Sequence, residues 1–310
     1  MRFCIDFRRL NAVKIPDTYP LPRMDDCIDS LSHTRVFSML DALWGYWQIT
    51  IAKKECGKTT FKSLVGTYRY TRMPFGLRNA PSTFQRALDV ILSGVRWKIC
   101  LVYLEDYIIF SRDRKEHLDH LDTVLTLLED AGIKLKPKKC FFMKKEVEYL
   151  GHCIRPGTLG VYRDAKAIRA IRDAAFPQTP TQMKSFLGCC NVYRRFVKSF
   201  ATISSPLSDM LKKDSETDWD QPIIPTEVQQ EAFNTLKQKM VEPPILALPK
   251  PGRPYMIDCD ASKYGIGAVL LQQQDPSKPT EWATVGYYSK TLSREQRNYS
   301  ANASPSCGPF

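Results

Sequence analysis

Ile99-Cys100-Leu101-Val102-Tyr103-Leu104-Glu105-Asp106-Tyr107-Ile108-Ile109-Phe110 sets two acids between two short apolar runs. Both runs are rich in β-branched and aromatic residues, which suit a pleated, packed surface. They read as paired strands with Glu105-Asp106 at the turn of a hairpin. Packed strands hold such carboxylates at the lip of a sheet with little freedom to move. A divalent-metal site needs that restraint, because Mg²⁺ takes oxygen ligands in near-octahedral geometry at about 2.0–2.1 Å. The plain alternative is a solvated turn that happens to be acidic, and the rest of the chain decides between the two.

Upstream, Val36-Phe37-Ser38-Met39-Leu40-Asp41 reads as a buried strand that ends in a third acid. In a split βαβ layout the end of that strand meets the hairpin and the three carboxylates cluster. Two ions ~3.5–4 Å apart in such a cluster serve in-line displacement at phosphorus, one activating the attacking oxygen and the other steadying the leaving one. Acids suit this task better than histidines or thiols, since hard Mg²⁺ prefers oxygen donors.

Around this centre the patterns alternate. A short strand at Phe3 to Phe7 precedes a proline-marked loop (Pro16, Pro20, Pro22) and a short helix with Ile28 and Leu31 on one face. Gln48 to Ile51 resumes a strand pattern, and Thr59 to Tyr70 reads as a hairpin turning near Val65-Gly66-Thr67. Met73 to Pro81 is loop chemistry leading into a helix with Phe84, Leu88 and Ile91 on one face. After the acidic hairpin, Ser111-Arg112-Asp113 opens a long helix with Leu118, Leu121, Leu125 and Leu128 as its stripe, stopped at Gly132. His117 and His120 read as surface histidines on its charged face. Lys134 to Lys145 carries six lysines with apolar residues interleaved, a plausible track for a phosphate backbone. From about Pro177 the texture turns helical, over Gln182 to Phe200 and Glu227 to Met240. A proline-rich connector, Pro243 to Pro254, leads to strands at Tyr255 to Ser262 and Gly265 to Leu271.

The 310 residues, 43% hydrophobic and 25% charged, are ordinary globular material for two or three domains with sizeable cores. A net charge of +12 points to polyanionic partners. The charged start is unlike a signal peptide, and no run approaches the ~20 apolar residues of a membrane span. Ten scattered cysteines, none in a CxxC pair, favour reduced core thiols over a disulfide framework or a zinc site.

The ordered motifs resemble one family. Arg2 to Asn11, Tyr19-Pro20-Leu21-Pro22-Arg23 and Phe37 to Asp41 resemble successive signature blocks of reverse transcriptases. Gly45-Tyr46-Trp47-Gln48-Ile49, Met73-Pro74-Phe75-Gly76-Leu77, Asn79-Ala80-Pro81, Phe84-Gln85 and Tyr149-Leu150-Gly151-His152 continue in the same order. The nearest resemblance is to the Pol polyprotein of gypsy-type LTR retrotransposons, over nearly the whole chain.

That resemblance implies an α+β right-hand polymerase: partial fingers, a palm with a split βαβ, a thumb, a helical connection and an incomplete RNase H-like sheet. It implies fingers, palm and the start of the thumb over 1–155, thumb and connection over 156–250, and a truncated RNase H-like domain over 251–310. Asp41, Glu105 and Asp106 fall on the acids that bind two Mg²⁺ ions, for which Mn²⁺ can substitute. Arg2 falls on a residue contacting the incoming triphosphate, a bidentate task suited to guanidinium. Tyr46 falls on the steric gate against a ribose 2′-hydroxyl, and a core aromatic is an equally compatible reading of the same residue. Phe75 and Gly76 fall in the nucleotide pocket, Tyr149, Leu150, Gly151 and His152 on the primer grip, and Asp260 on the first metal-binding acid of RNase H. The implied partners are an RNA template, a DNA or RNA primer duplex and deoxynucleoside triphosphates. A homodimer or the remainder of the polyprotein would be the protein partner. No membrane is implied, and the compartment is intracellular, cytoplasmic or nuclear, or a virus-like particle.

Three departures temper this. The family has Asp-Asp in the hairpin, whereas Glu105 adds a methylene that displaces its carboxylate by ~1.5 Å on a fixed backbone. Such sites lose rate steeply beyond about 0.5 Å of misplacement. A family lysine of the fingers lies upstream of Met1. The stretch after Ser300, Ala301 to Phe310, lacks the acidic helix of RNase H, as a frameshift would produce. The expectation is therefore an impaired polymerase without RNase H cleavage. The alternative is a silent retroelement relic acting as a basic nucleic-acid-binding module.

Overall fold

In the computed structural model, which describes residues 4–161, 166–211, 222–261 and 265–292, the chain divides into two units, Met1–Tyr149 and Leu150–Phe310. The first unit runs α1 (Arg8–Val13), α2 (Met24–Asp29), β1 (Val36–Asp41), β2 (Phe61–Ser63), β3 (Gly66–Tyr68), α3 (Ala80–Ile91), β4 (Cys100–Tyr103), β5 (Asp106–Ser111), α4 (Arg114–Asp130), β6 (Phe141–Lys144) and β7 (Val147–Tyr149). Its main sheet has the order β4-β5-β1-β6, and β1 pairs antiparallel with both β5 and β6. β1 and β5 are central strands buried on both faces, so each reads as a nearly continuous apolar run. Leu40, Val102, Tyr107 and Ile109 pack with Phe84 and Leu88 of α3 and Val124 and Leu128 of α4. Side chains alternate along a strand, so Asp41 and Asp106 lie on the opposite face, with Phe37 and Ile108.

Local chemistry accounts for where several elements depart from expectation. The strand expected at Phe3 to Phe7 is not formed over residues 4–7. Asp6 accepts the Arg8 N–H at 2.9 Å and grips its guanidinium, which turns the chain into α1. Gln48 closes a 3-10 turn, Gly45–Gln48, instead of opening a strand. Its side-chain amide donates to the Leu43 carbonyl at 2.8 Å and the Lys134 carbonyl at 2.9 Å. The hairpin expected over Thr59 to Tyr70 forms over Phe61–Tyr68 and turns at Leu64-Val65, with Gly66 and Thr67 already paired in β3.

α4 begins at Asp113, whose carboxylate accepts the N–H groups of Lys115 and Glu116, and ends before Gly132 at φ +70°. Its stripe is shifted: Leu118 is exposed, and His117 is fully buried in its place. The His117 ring lies between Ser38 Oγ at 2.7 Å and Ser111 Oγ at 2.8 Å, and the latter also meets His120 Nδ1 at 2.7 Å. The periodicity could not show this, because the two serines that satisfy the imidazole belong to β1 and β5. His117 is therefore a core residue and not a surface one.

The second unit contains β8 (His152–Arg155), β9 (Thr158–Val161), α5 (Lys166–Asp173), α6 (Pro180–Asn191), α7 (Phe200–Asp209), α8 (Glu227–Val241), β10 (Leu246–Ala247), β11 (Tyr255–Ala261), β12 (Gly265–Gln273) and β13 (Trp282–Thr291). β8 and β9 form a hairpin that β10 extends, and β11-β12-β13 is an antiparallel meander. Phe233 of α8 joins Phe186 of α6 at 4.7 Å and Phe176 at 5.2 Å between ring centres. The helix expected over Gln182 to Phe200 is broken: α6 ends at Asn191, a 3-10 turn spans Arg194–Phe196, and Ser199 sits at φ +59° before α7. Arg194 then donates to the Ser289 carbonyl at 2.6 Å, fastening this turn to β13.

Cys27, Cys56, Cys100 and Cys190 are buried thiols outside any disulfide. Cys259 is disulfide-bonded, which corrects the expectation of reduced core thiols at that position. It lies on β11, an exposed strand, and not in a core. Among the described residues no helix is long and apolar enough to cross a membrane.

Burial and the neighbouring His120 hold the His117 pKa down at about 4, against an ordinary value of 6.5. Unfolding exposes the ring, so the unfolded chain binds the proton first and stability falls as pH drops from about 6.5 to about 4. The loss over that window should reach about 2–3 kcal/mol. Thermal melts of wild type and His117→Gln across that range should show a much flatter profile for the variant, and parallel profiles would refute the assignment.

Candidate active site

The register of β1 against β5 places Asp41 directly opposite Asp106. The chain reaches Asp106 through a tight turn at Leu104-Glu105, where Leu104 adopts φ +55°, a region costing a non-glycine residue roughly 1 kcal/mol. That turn is held from beneath by Gln85 of α3, which is fully buried. Its Oε1 accepts the Leu104 N–H at 2.9 Å, and its Nε2 donates to the Val102 carbonyl at 3.1 Å and to Asp89 at 2.8 Å. Asp89 also accepts the Tyr19 hydroxyl at 2.6 Å and pairs with Arg96 at 2.6 Å. A satisfied polar network therefore fixes the hairpin that carries the acids.

The Glu105 backbone carbonyl accepts the Ala42 N–H at 3.2 Å, tying the turn to the end of β1. Its side chain lies over Gly45, where a Cβ would stand 2.9 Å from Glu105 Cγ and 3.0 Å from Phe84 Cζ. Position 45 thus needs a glycine for this approach. Beside it, the half-buried Tyr46 ring is 5.2 Å from Phe75 and 5.6 Å from Phe84, so three aromatics line one wall. Burial and then the Glu105 charge raise the Tyr46 pKa above its ordinary value.

Gly76 follows at φ +89°, which favours glycine. Asn11 clamps its loop, donating to the Gly76 carbonyl at 2.8 Å and accepting the Arg78 N–H at 2.8 Å. Asn79 does the same for the proline-marked segment, donating to the Ile15 carbonyl at 2.9 Å and accepting the Asp17 N–H at 3.2 Å.

Lys139 enters the site from the basic stretch, with Nζ 2.6 Å from Asp41 Oδ2. Asp106 keeps much of its surface in solvent, yet the protein around the strand edge raises its pKa, and the neighbouring Asp41 raises it further. Two facing carboxylates of this kind, all oxygen and like-charged, fit a divalent cation. Glu105, turned over Gly45, does not complete the set: among the described residues no three of His, Cys, Asp and Glu stand together as a metal group.

The other expected residues lie elsewhere. Arg2 is outside the described residues. Tyr149 is fully buried in the first unit. Leu150 at φ +50° and Gly151 at φ +79° begin the second unit, so the Tyr149 to His152 block spans the division between them. There the Gly151 carbonyl accepts the Tyr193 hydroxyl at 3.3 Å, and the His152 ring packs 5.4 Å from Tyr193 and 5.7 Å from Phe196. Asp260 is exposed on β11, opposite Gly267 of β12. Sequence reading missed two residues that the geometry brings in. In the sequence Gln85 figures only within the Phe84-Gln85 block, with no role of its own, and Lys139 is one lysine among six.

A model of the reverse transcriptase (RNA-dependent DNA polymerase) family matches residues 1–154, and one of the RNase H-like domain found in reverse transcriptase matches residues 226–305. The chain is 39% identical to the retrovirus-related Pol polyprotein from transposon 297 of Drosophila melanogaster over 300 residues. It is 38% identical to the one from transposon gypsy of the same organism over 307 residues. Each alignment covers 97% of this chain but only 27% and 29% of those polyproteins, so the chain spans less than a third of their length. Among solved structures, the foamy viral protease-reverse transcriptase matches with a TM-score of 0.83 in a double-stranded DNA complex, at 21% identity, over 96% of this chain and 50% of that one. The same viral protein in complex with an RNA/DNA hybrid matches with a TM-score of 0.80 at 20% identity, over 96% and 39%. On these matches the chain belongs to the reverse transcriptase family, as a segment of the type carried by retrotransposon Pol polyproteins, with an RNase H-like match after its reverse transcriptase match.

Proposed function

We propose that the chain carries out template-directed nucleotidyl transfer as an RNA-directed DNA polymerase, with Asp41 and Asp106 as its metal-holding acids. The observation that carries this reading is the Asp41–Asp106 pairing at the ends of two central strands, beside the Tyr46 and Phe75 wall. Asp41 and Asp106 would hold Mg²⁺, which when bound would supply positive charge for an attacking primer 3′-hydroxyl and a departing pyrophosphate. The protein's own part is positional. Gln85 and the Leu104 turn hold the acids at the strand end, and Tyr46, packed against Phe75 and Phe84, takes the role of the steric gate against a ribose 2′-hydroxyl. The loop shaped by Asn11 around Phe75-Gly76 supports the base and sugar. An RNA template, a primer duplex and deoxynucleoside triphosphates are the substrates this arrangement suits, and the foamy viral complexes with nucleic acid support a duplex ligand. The compartment consistent with this role is intracellular.

Glu105 limits the rate in this reading. Its longer side chain lies over Gly45, so its carboxylate joins Asp41 and Asp106 only after moving. The relic reading has less support, since the hairpin, its Gln85 brace and the aromatic wall are all intact.

Primer extension on an RNA template with Mg²⁺ or Mn²⁺ tests the proposal. Wild type should extend slowly, Asp41→Asn should not extend, and Glu105→Asp should be faster by on the order of tenfold or more. Extension by Asp41→Asn equal to wild type would end the assignment. An unchanged rate for Glu105→Asp would end the explanation of impairment. Tyr46→Val should raise incorporation of ribonucleotides relative to deoxyribonucleotides at least severalfold, and an unchanged ratio would return Tyr46 to the role of a core aromatic. Gln85→Leu should lower stability by about 1–3 kcal/mol in urea titrations, because the Leu104 N–H and Val102 carbonyl lose a buried partner. It should also slow extension; full activity in a destabilised Gln85→Leu would show that the brace serves folding alone.

A further inference from the structure

Lys139 closes a 3-10 turn, Pro137–Lys139, that hangs from the acid it faces. The Lys136 N–H donates to the Asp41 carbonyl at 2.9 Å, and the Lys139 N–H donates to the Lys136 carbonyl at 2.9 Å. Pro137 fixes the first residue of the turn near a helical φ. From this mount the Lys139 ammonium reaches the Asp41 carboxylate at 2.6 Å. Asp106 faces Asp41 across the strand pair, and the charges of Asp41, Asp106 and Glu105 all favour the protonated lysine. The two partners differ in burial: the Asp41 side chain is 16% exposed, whereas that of Lys139 is 57% exposed. The acid is held in place and the cation is on a flexible stem open to water, so only the cation can move away.

We propose that Lys139 is a tethered counter-ion that occupies the carboxylate pair in the metal-free protein and competes with the divalent cation for Asp41. It rests on the reading of Asp41 and Asp106 as metal ligands. While no metal is bound, the ammonium offsets the repulsion between two facing carboxylates and keeps the ends of β1 and β5 together. When a divalent ion arrives, the lysine swings into solvent, and its loss of contact is subtracted from the binding of the ion. A residue outside the ligand set thereby sets how much metal the site requires.

The test is direct binding of Mn²⁺ alone to the full chain, read from the electron paramagnetic resonance signal of free Mn²⁺, without nucleic acid. Lys139→Met should bind Mn²⁺ roughly three- to tenfold more tightly than wild type. Lys139→Arg, which keeps the charge, should bind no more tightly than wild type. In chelator, Lys139→Met should melt below wild type, and added Mn²⁺ should close that gap. If Lys139→Met does not fold, Lys139→Gln carries the same comparison. The Asp41→Asn/Asp106→Asn double variant separates the two levels of the argument. If it binds Mn²⁺ as wild type does, the metal-ligand reading itself fails. If it loses binding while Lys139→Met binds no more tightly than wild type, only the competition is overturned.

Discussion

The antiparallel register between β1 and β5 is the constraint on which the site depends. Because side chains alternate along a strand, a slip of one residue would send Asp41 into the helix-packed core and bring Leu40 to the opposite face. The register is locked from both sides of the sheet. Apolar pairs such as Leu40 with Tyr107 and Phe37 with Phe110 are buried, and the Ser38–His117–Ser111 bridge ties the same two strands to α4. The acids therefore sit at the end of a structure whose apolar interior has already decided their position.

Polar side chains perform the finer adjustment, and most of them act over long sequence separations. Gln85 braces the turn before Glu105, Gln48 joins the end of β1 to the Lys134 loop, and Asn11 and Asn79 shape the loops around Phe75-Gly76. Each uses an amide that both donates and accepts, which suits satisfying two backbone groups at once. The site is thus the end of an apolar strand pair trimmed by amides, with charge concentrated at Asp41, Glu105, Asp106 and Lys139.

How much of this was legible in the sequence follows from the range of the forces involved. β1, the β4–β5 hairpin, α3 and the extent of α4 follow from local periodicity and punctuation, and they were readable. The helical break between Asn191 and Phe200 was not, because it depends on Arg194 and Ala201 bonding to Ser289, far along the chain. His117 was misplaced for the same reason: its partners are serines of two strands. Among the site residues, Asp41 and Asp106 came together as their strand ends implied. The position of Glu105 over Gly45 and the approach of Lys139 are tertiary facts that neither spacing nor composition encodes.

The amide clamps have a further consequence for how the first unit assembles and comes apart. α1 and α2 have six residues each, too short to persist alone in water. α1 and the strap after it are anchored by bonds that span more than sixty residues, such as Asn11 to Gly76 and Asn79 to Ile15, whereas α2 is held by its buried Cys27 and Ile28. Those bonds cannot form until α3 and the loop before it exist, so this segment docks late in folding, after the loop has been closed. By the same token α1, which buries none of its residues, is cheap to open. The strap that shapes the Phe75-Gly76 loop is thus a place where a protease would find an extended chain.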